Sequence, residues 1–167
     1  MELTIRKWKI EDAGELAEAL NNKKIQNNLR DGLPYPYTIN DAKEYINAVL
    51  TADQDTTYAF AIVVDGHVAG SIGVTRCNNI HSLTAELGYY IAESHWGRGI
   101  GTEAVKKTCR YIFEQTDIVR IFAEPFAYNG PSCRVLEKAG FQCEGILRKN
   151  SVKNGIVQDM KMYALIK

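Results

Sequence analysis

The sequence predicts an α+β fold: a mixed, mostly antiparallel, twisted sheet flanked by helices, with one parallel crossover after a glycine-rich turn. Three observations predict it. TYAFAIVVDGHVAGSIGVTR, Thr57 to Arg76, reads as two strands joined at Asp65-Gly66, a dipeptide that tolerates the positive φ angles of a tight hairpin. Near the C-terminus FQCEGILRK and IVQDMKMYALIK repeat that pattern around a turn at Lys153 to Gly155. Between the hairpins, the strand-like LTAELGYYIA runs into HWGRGIGTEA, His95 to Ala104, then a helix, then a second β-prone run, and one sheet accommodates that order through a parallel crossover. With 167 residues the chain is expected to form a single domain, 1–167.

The elements follow in order. LTIRKWK alternates Leu3, Ile5 and Trp8 loosely with charge, as a half-buried strand does. Asp12 is placed to cap a helix whose apolar positions are Leu16, Ala19 and Leu20, and a short amphipathic piece is expected over Lys23 to Leu29. Gly32, Pro34 and Pro36 make Asp31 to Thr38 a loop. Ala42, Tyr45, Ile46, Val49 and Leu50 mark the next helix, capped by Thr38 or Asn40. After the first hairpin a turn at Asn78-Asn79 leads to a strand with Leu83, Ala85, Leu87, Tyr89 and Ile91 on one face. Ala104, Val105, Thr108, Cys109, Ile112 and Phe113 give the stripe of the crossover helix. Ile118 to Phe126 reads as a strand, and a short helix capped by Asn129 stops at Gly140.

Composition excludes several classes of function. Lys plus Arg equals Asp plus Glu at 20 each, so no net field favours a nucleic acid partner. No run approaches the ~18 apolar residues of a membrane span, and MELTIRKWK lacks the apolar core of a signal peptide, so a soluble, cytoplasmic chain is expected, without membrane partners. Cys77, Cys109, Cys133 and Cys143 lack metal-site or redox spacing and read as unpaired packing thiols. His67, His81 and His95 lie far apart, and no metal is expected.

The glycines then need a purpose. A helix starting near Gly101 leaves its first N–H groups without intrahelical partners. Gly97, Gly99 and Gly101 have no Cβ to keep a phosphate from the main chain, the helix dipole places partial positive charge there, and Arg98 adds a donor fork. A tight strand-to-helix turn with no ligand is the plain alternative. GIGTEA also fits the dinucleotide fingerprint G-x-G-x-x-A, with Glu124 at a strand end downstream, but an antiparallel meander precedes it and too little chain follows for the required βαβ units.

W-G-R-G-I-G-T-E-A directly after E-L-G-Y-Y-I, followed by a strand and N-G-P-S-C-R-V-L-E-K-A-G-F, Asn129 to Phe141, resembles the GNAT acetyltransferase superfamily, nearest its ribosomal-protein N-terminal (RimJ/RimL-like) branch. The resemblance spans essentially the whole chain and implies a GNAT-like sheet and acetyl-coenzyme A as cosubstrate. Its pyrophosphate would sit on the main chain of Arg98, Gly99, Ile100, Gly101, Thr102 and Glu103, and its pantetheine arm would pair with the strand edge at Tyr89, Tyr90 and Ile91. Trp96 stands where the superfamily often has Gln or Arg.

Acetyl transfer to an amine needs a proton acceptor, because an ammonium cannot attack. Glu86, on the face opposite the apolar set of its strand and just ahead of the cofactor turn, is the candidate, directly or through water; a solvated strand carboxylate is the alternative. Gly88 would permit a bulge that aims a backbone N–H at the oxyanion. The leaving thiolate needs a donor. Many superfamily members use a tyrosine where this chain has Leu136, so Ser132 in the N-x-x-S pattern is the candidate, with Asn129 on the cofactor arm and Tyr128 as an alternative acid. Helix capping is the plain reading of Asn129 and Ser132. Cys133 has no evident activating partner and reads as packing. Glu124 either meets the acceptor amine at its strand end or is a surface carboxylate.

By resemblance the loop Asp31 to Thr38, with Tyr35 and Tyr37, and the last hairpin around Arg148 to Asn154 would shape the acceptor groove. The acceptor is expected to be a primary amine, a peptide N-terminus or a small molecule, and a homodimer is a family expectation. The alternative function is a non-catalytic module that binds coenzyme A or a nucleotide and needs neither Glu86 nor Ser132.

Overall fold

The computed structural model describes residues 1–167. Its strands β1 (Leu3–Lys7), β2 (Thr57–Val64), β3 (His67–Arg76), β4 (Thr84–Ile91), β5 (Arg120–Ala123), β6 (Gln142–Lys153) and β7 (Ile156–Ile166) form one sheet in the order β1-β2-β3-β4-β5-β7-β6. Every adjacent pair is antiparallel except β4 and β5. Helices α1 (Ala13–Leu20), α2 (Lys23–Gln26) and α3 (Ile39–Thr51) pack on one face; α4 (Ile100–Gln115) and α5 (Gly130–Lys138) pack on the other.

The sheet's alternation divides the apolar residues between two cores. Ile72, Val74, Ala85 and Leu87 meet Ile100, Val105, Cys109 and Ile112 of α4 and Leu136 of α5. Ala61, Val63 and Val68 meet Leu16 and Leu20 of α1 and Ile46 of α3. Each large side chain withdrawn from water contributes roughly 1.5–3 kcal/mol, which is why these stripes fix each helix against one face.

Local signals act largely as the sequence suggests. Asp65 and Gly66 take φ values of 49° and 85° at the first hairpin, and Asn154 and Gly155 take 51° and 75° at the last. Thr38 caps α3: its Oγ1 accepts from the N–H of Asp41, while the Thr38 N–H donates to the Asp41 carboxylate. Asp12 is different. It does not cap α1 with its side chain; its carboxylate accepts two hydrogen bonds from Arg6 and one from the Lys9 N–H, anchoring β1 to the turn before the helix.

The feature that creates the site is a fork in the sheet. β4 and β5 pair only at Thr84↔Arg120, Ala85↔Ile121 and Glu86↔Phe122. β5 ends at Ala123, earlier than its apolar run suggests, yet the chain beyond it keeps its register with β7 while it parts from β4: Lys161 N–H donates to Pro125 O at 3.0 Å, Ala127 N–H donates to Asp159 O at 2.9 Å, and Phe126 bridges Met160. β4 continues to Ile91 with β3 on one side and an open edge on the other.

Candidate active site

One wall of the fork is a set of unspent donors. From Gly97 to Thr102, six consecutive residues donate no backbone N–H to any backbone or side-chain acceptor of the protein. Gly99 caps α4 in the left-handed region, φ 75°, and Gly97 has φ 73°. A glycine is therefore required there by backbone shape, and the curl it allows points successive N–H groups the same way, as in an anion-binding nest. Gly101 differs from its neighbours: a Cβ there would lie 3.4 Å from Val135 and 3.6 Å from the Tyr89 ring, so this glycine lets α4 sit close to α5 and β4. Arg98 is exposed beside the turn, and the Ile100 side chain is buried beneath it. Glu103 is already engaged, its N–H on Gly99 O at 3.2 Å and its carboxylate 3.5 Å from Lys106 Nζ, so it closes the first helical turn and adds no free donor.

The second wall is the open edge of β4. Cys77 N–H donates to Thr84 O and Ala92 N–H to Ala69 O, which fixes the even-numbered residues of β4 toward β3. The main chain of Tyr89 and Ile91 consequently faces the fork, and that of Tyr90 does not. Tyr90 instead points its ring into the α3 side, where its hydroxyl has no hydrogen-bond partner. Trp96 Nε1–H donates to Ile91 O at 2.8 Å, folding the indole over the strand end. The bulge expected at Gly88 is absent, since the register with β3 runs unbroken through Gly73↔Gly88.

Between the walls, Tyr89 Oη and Ser132 Oγ lie 3.0 Å apart, joining β4 to the first turn of α5. Asn129 caps that helix by accepting the Ser132 N–H at 3.3 Å. Burial is the main cause that pushes the Tyr89 hydroxyl up to about 12, so it keeps its proton across the neutral range. Cys133, next to Ser132, is buried in the core, as is Cys109; Cys77 is only partly buried and Cys143 is exposed, so packing accounts for two of the four thiols.

On the α1–α3 face the fork opens into a cleft of about 520 Å³ lined by Leu29, Tyr45, Ser71, Glu86, Gly88 and Tyr90 among others. Arg30 lies at its edge: Nη2 is 2.6 Å from Glu86 Oε1 and 3.7 Å from Glu124 Oε2. Burial, then the negative charge of Glu86, raises the Glu124 carboxyl, and Arg30 partly offsets them. The arm carrying Arg30 is fastened to the last hairpin and to β5's continuation. Lys153 Nζ meets Asp31 at 2.8 Å, Asn154 meets Asn27 at 3.2 Å, and Tyr128 donates its hydroxyl to Asn27 O at 3.1 Å.

Several expectations change accordingly. The Arg148–Asn154 hairpin touches the arm that carries Arg30, through Lys153 and Asn154. Tyr37 does not line the groove; it is buried in the core of the α1–α3 face with Trp8 and Ile46. Tyr35 is exposed beneath Lys23 Nζ, 4.3 Å from the ring centroid. Tyr128 has committed its hydroxyl to the arm. Two side chains at the fork were not visible in sequence: that of Tyr89, considered only for its backbone, and that of Arg30, which nothing marks apart from its place before the proline loop.

Comparison with known proteins gives the family. The acetyltransferase (GNAT) domain family matches residues 2–142, and the chain belongs to that family. It is an acetyl-coenzyme A-dependent N-acetyltransferase. The chain is 31% identical to the putative ribosomal N-acetyltransferase YdaF of Bacillus subtilis (strain 168) over 99% of its own length and 91% of that protein's. Among solved structures, RimJ of Mycobacterium smegmatis in complex with CoA-disulfide superposes with a TM-score of 0.89 at 22% identity, covering 98% of this chain and 81% of that one. Spermidine N-acetyltransferase from Vibrio cholerae, in complex with CoA and spermine, gives 0.82 at 23% identity, covering 98% and 95%. No helix is long and apolar enough to cross a membrane.

Proposed function

We propose that the chain transfers acetyl from acetyl-coenzyme A to a primary amine, of a protein N-terminus or a small molecule, by direct attack while both are bound. The observation that carries this reading is that the free N–H groups of Gly97–Thr102 and the carboxylates of Glu86 and Glu124 flank one opening in the sheet. A diphosphate held by the first would lay an amide-bearing arm along Tyr89 and Ile91 and bring a thioester to the base of the fork. Arg98, Gly99, Ile100, Gly101 and Thr102 would hold the phosphates, the last four through main chain alone.

The chemistry needs two proton movements. The acceptor ammonium gives one proton to a carboxylate, and its nitrogen attacks the thioester carbonyl carbon. As the C–N bond forms and the C–S bond breaks, the nitrogen loses a second proton and the departing sulfur gains one. Ser132 and Tyr89, sharing a hydrogen bond on the fork's α5 side, would be the donors to that sulfur. The Tyr89 N–H, facing the fork, is available to the developing oxyanion.

The test is release of free thiol from acetyl-coenzyme A with a panel of N-terminal peptides and polyamines, alongside calorimetry with coenzyme A. Amine-dependent thiol release supports the reading. Tight binding with no amine accelerating thiol release would transfer support to a coenzyme A-sensing module.

A further inference from the structure

We propose that Glu124, rather than Glu86, receives the proton of the acceptor ammonium, and that Arg30 is a positioning residue that makes this division by holding Glu86. The proposal rests on the acetyl-transfer reading and assigns roles within it.

Register supplies the first argument. Glu86 is the last β4 residue paired with β5, opposite Phe122, and so sits at the closed base of the fork. Glu124 lies two residues past Phe122, on the same face by strand alternation, where paired strands would have set it opposite Gly88. Glu124 therefore stands beside the open part of β4, next to a residue with no side chain to intervene. Attack has to occur in that open part, because a thioester cannot enter where the strands are still bonded.

Occupancy supplies the second. Glu86 Oε1 accepts from Arg30 at 2.6 Å, whereas Glu124 is 3.7 Å from the same nitrogen and beyond hydrogen-bond range. Glu86 has spent an oxygen on a guanidinium; Glu124 has both available. Glu124 is also the more enclosed, its side chain 21% exposed against 37% for Glu86. Burial and the Glu86 charge hold its carboxyl above the ordinary range, which makes it a better proton acceptor near neutrality. The charges facing Glu124 are Glu86 from β4 and Arg30 from the arm; toward β7 its neighbours Pro125 and Ala127 are bonded through main chain to Lys161 and Asp159.

Arg30 reaches this place because Asn27 and Asp31 on either side of it are tied to Tyr128, Asn154 and Lys153. With its single positive charge against two carboxylates, it leaves one negative charge for the acceptor's ammonium. The proton then passes from that ammonium to a Glu124 carboxylate oxygen and later to solvent, and no other reactant is needed.

The experiment compares E124Q, E86Q and R30Q by pH-dependent kinetics with the best amine of the panel, and follows the Glu124 carboxyl by carbon NMR in the acceptor-free protein. Calorimetric coenzyme A binding confirms that each variant is folded. E124Q is expected to lower kcat by about 100-fold or more. E86Q is expected to raise KM for the amine more than it lowers kcat, and to move the acid limb to lower pH, because a like charge beside Glu124 is gone. R30Q is expected to move that limb to higher pH, because an opposing charge is gone. A kcat for E124Q within a few-fold of the parent, or a Glu124 carboxyl titrating in the ordinary range, overturns the assignment while leaving acetyl transfer standing. Absence of turnover with every amine overturns both.

Discussion

Tyr89 Oη and Ser132 Oγ meet at 3.0 Å across the gap that opens where β4 and β5 part. The contact joins the open edge of β4 to the first turn of α5, so in the proposed reaction two hydroxyls, that of Tyr89 pushed up to about 12, would share the task of protonating sulfur. Neither should be indispensable alone. Ser132→Ala and Tyr89→Phe are each expected to lower kcat by about 10-fold, and the double variant by less than the product of the two, because the groups act as a unit. Steady-state thiol release measures all three; a loss equal to the product would mean independent roles.

Gly99 adopts φ 75° at the start of α4, and a Cβ there would meet nothing within 4 Å. The cost of Gly99→Ala is therefore backbone strain of about 1 kcal/mol, without steric clash. A fall in Tm of a few degrees with a larger loss of coenzyme A affinity is expected, since the curl that aligns the N–H groups is the conformation that alanine resists. Thermal melts and calorimetry separate the two effects.

Arg6 and Asp12 form a bidentate pair with the Asp12 side chain only 9% exposed. Burial alone would raise the Asp12 carboxyl, but Arg6 and the Lys9 N–H outweigh it and hold the group below its usual range. Its folded-state value is thus lower than its unfolded one. The stability it contributes is present above the unfolded value, near 4, and is lost as pH falls through the folded one. Asp12→Ala is expected to cost about 2 kcal/mol at neutral pH, since removing one partner strands the other, and to show a smaller further loss than the parent below pH 4. Urea melts at pH 7 and pH 3 check both statements.

Tyr128 donates to Asn27 O and stacks on Phe126, with ring centroids 5.3 Å apart. Tyr128→Phe keeps the stack and frees the arm. An increase of about 3-fold in acceptor KM with kcat little changed is expected, as befits loss of roughly one net hydrogen bond. A collapse of kcat would restore Tyr128 as a proton donor.

The parts of this fold that were legible in the sequence are those set by local rules. Asp65-Gly66 and Asn154-Gly155 specify hairpins by their φ preferences, Thr38 and Asn129 specify helix starts by capping, and α4 is marked by the spacing of its stripe. The illegible parts depend on residues far apart in the chain. Asp12 has the composition of a cap, yet Arg6 claims it. Tyr37 lies among turn-forming prolines, yet is drawn into the core by Trp8 and Ile46. β5 reads as a nine-residue apolar run from Ile118 to Phe126, yet only Arg120–Ala123 is strand, and past Phe122 the chain leaves β4 while staying in register with β7. In the site, the glycine turn announced itself; Arg30, separated from Glu86 by 56 positions, had no local signal to give.

Trp96 folds over the end of β4 beside the glycine turn and remains 47% exposed, while the only other tryptophan, Trp8, is 3% exposed on the far face of the sheet. The two indoles thus emit from very different surroundings, and the one that senses water stands beside the glycine turn proposed to hold the phosphates. Nucleotide uptake should quench or blue-shift the red component of the emission and spare the blue one, giving the protein a built-in optical gauge of its own loading.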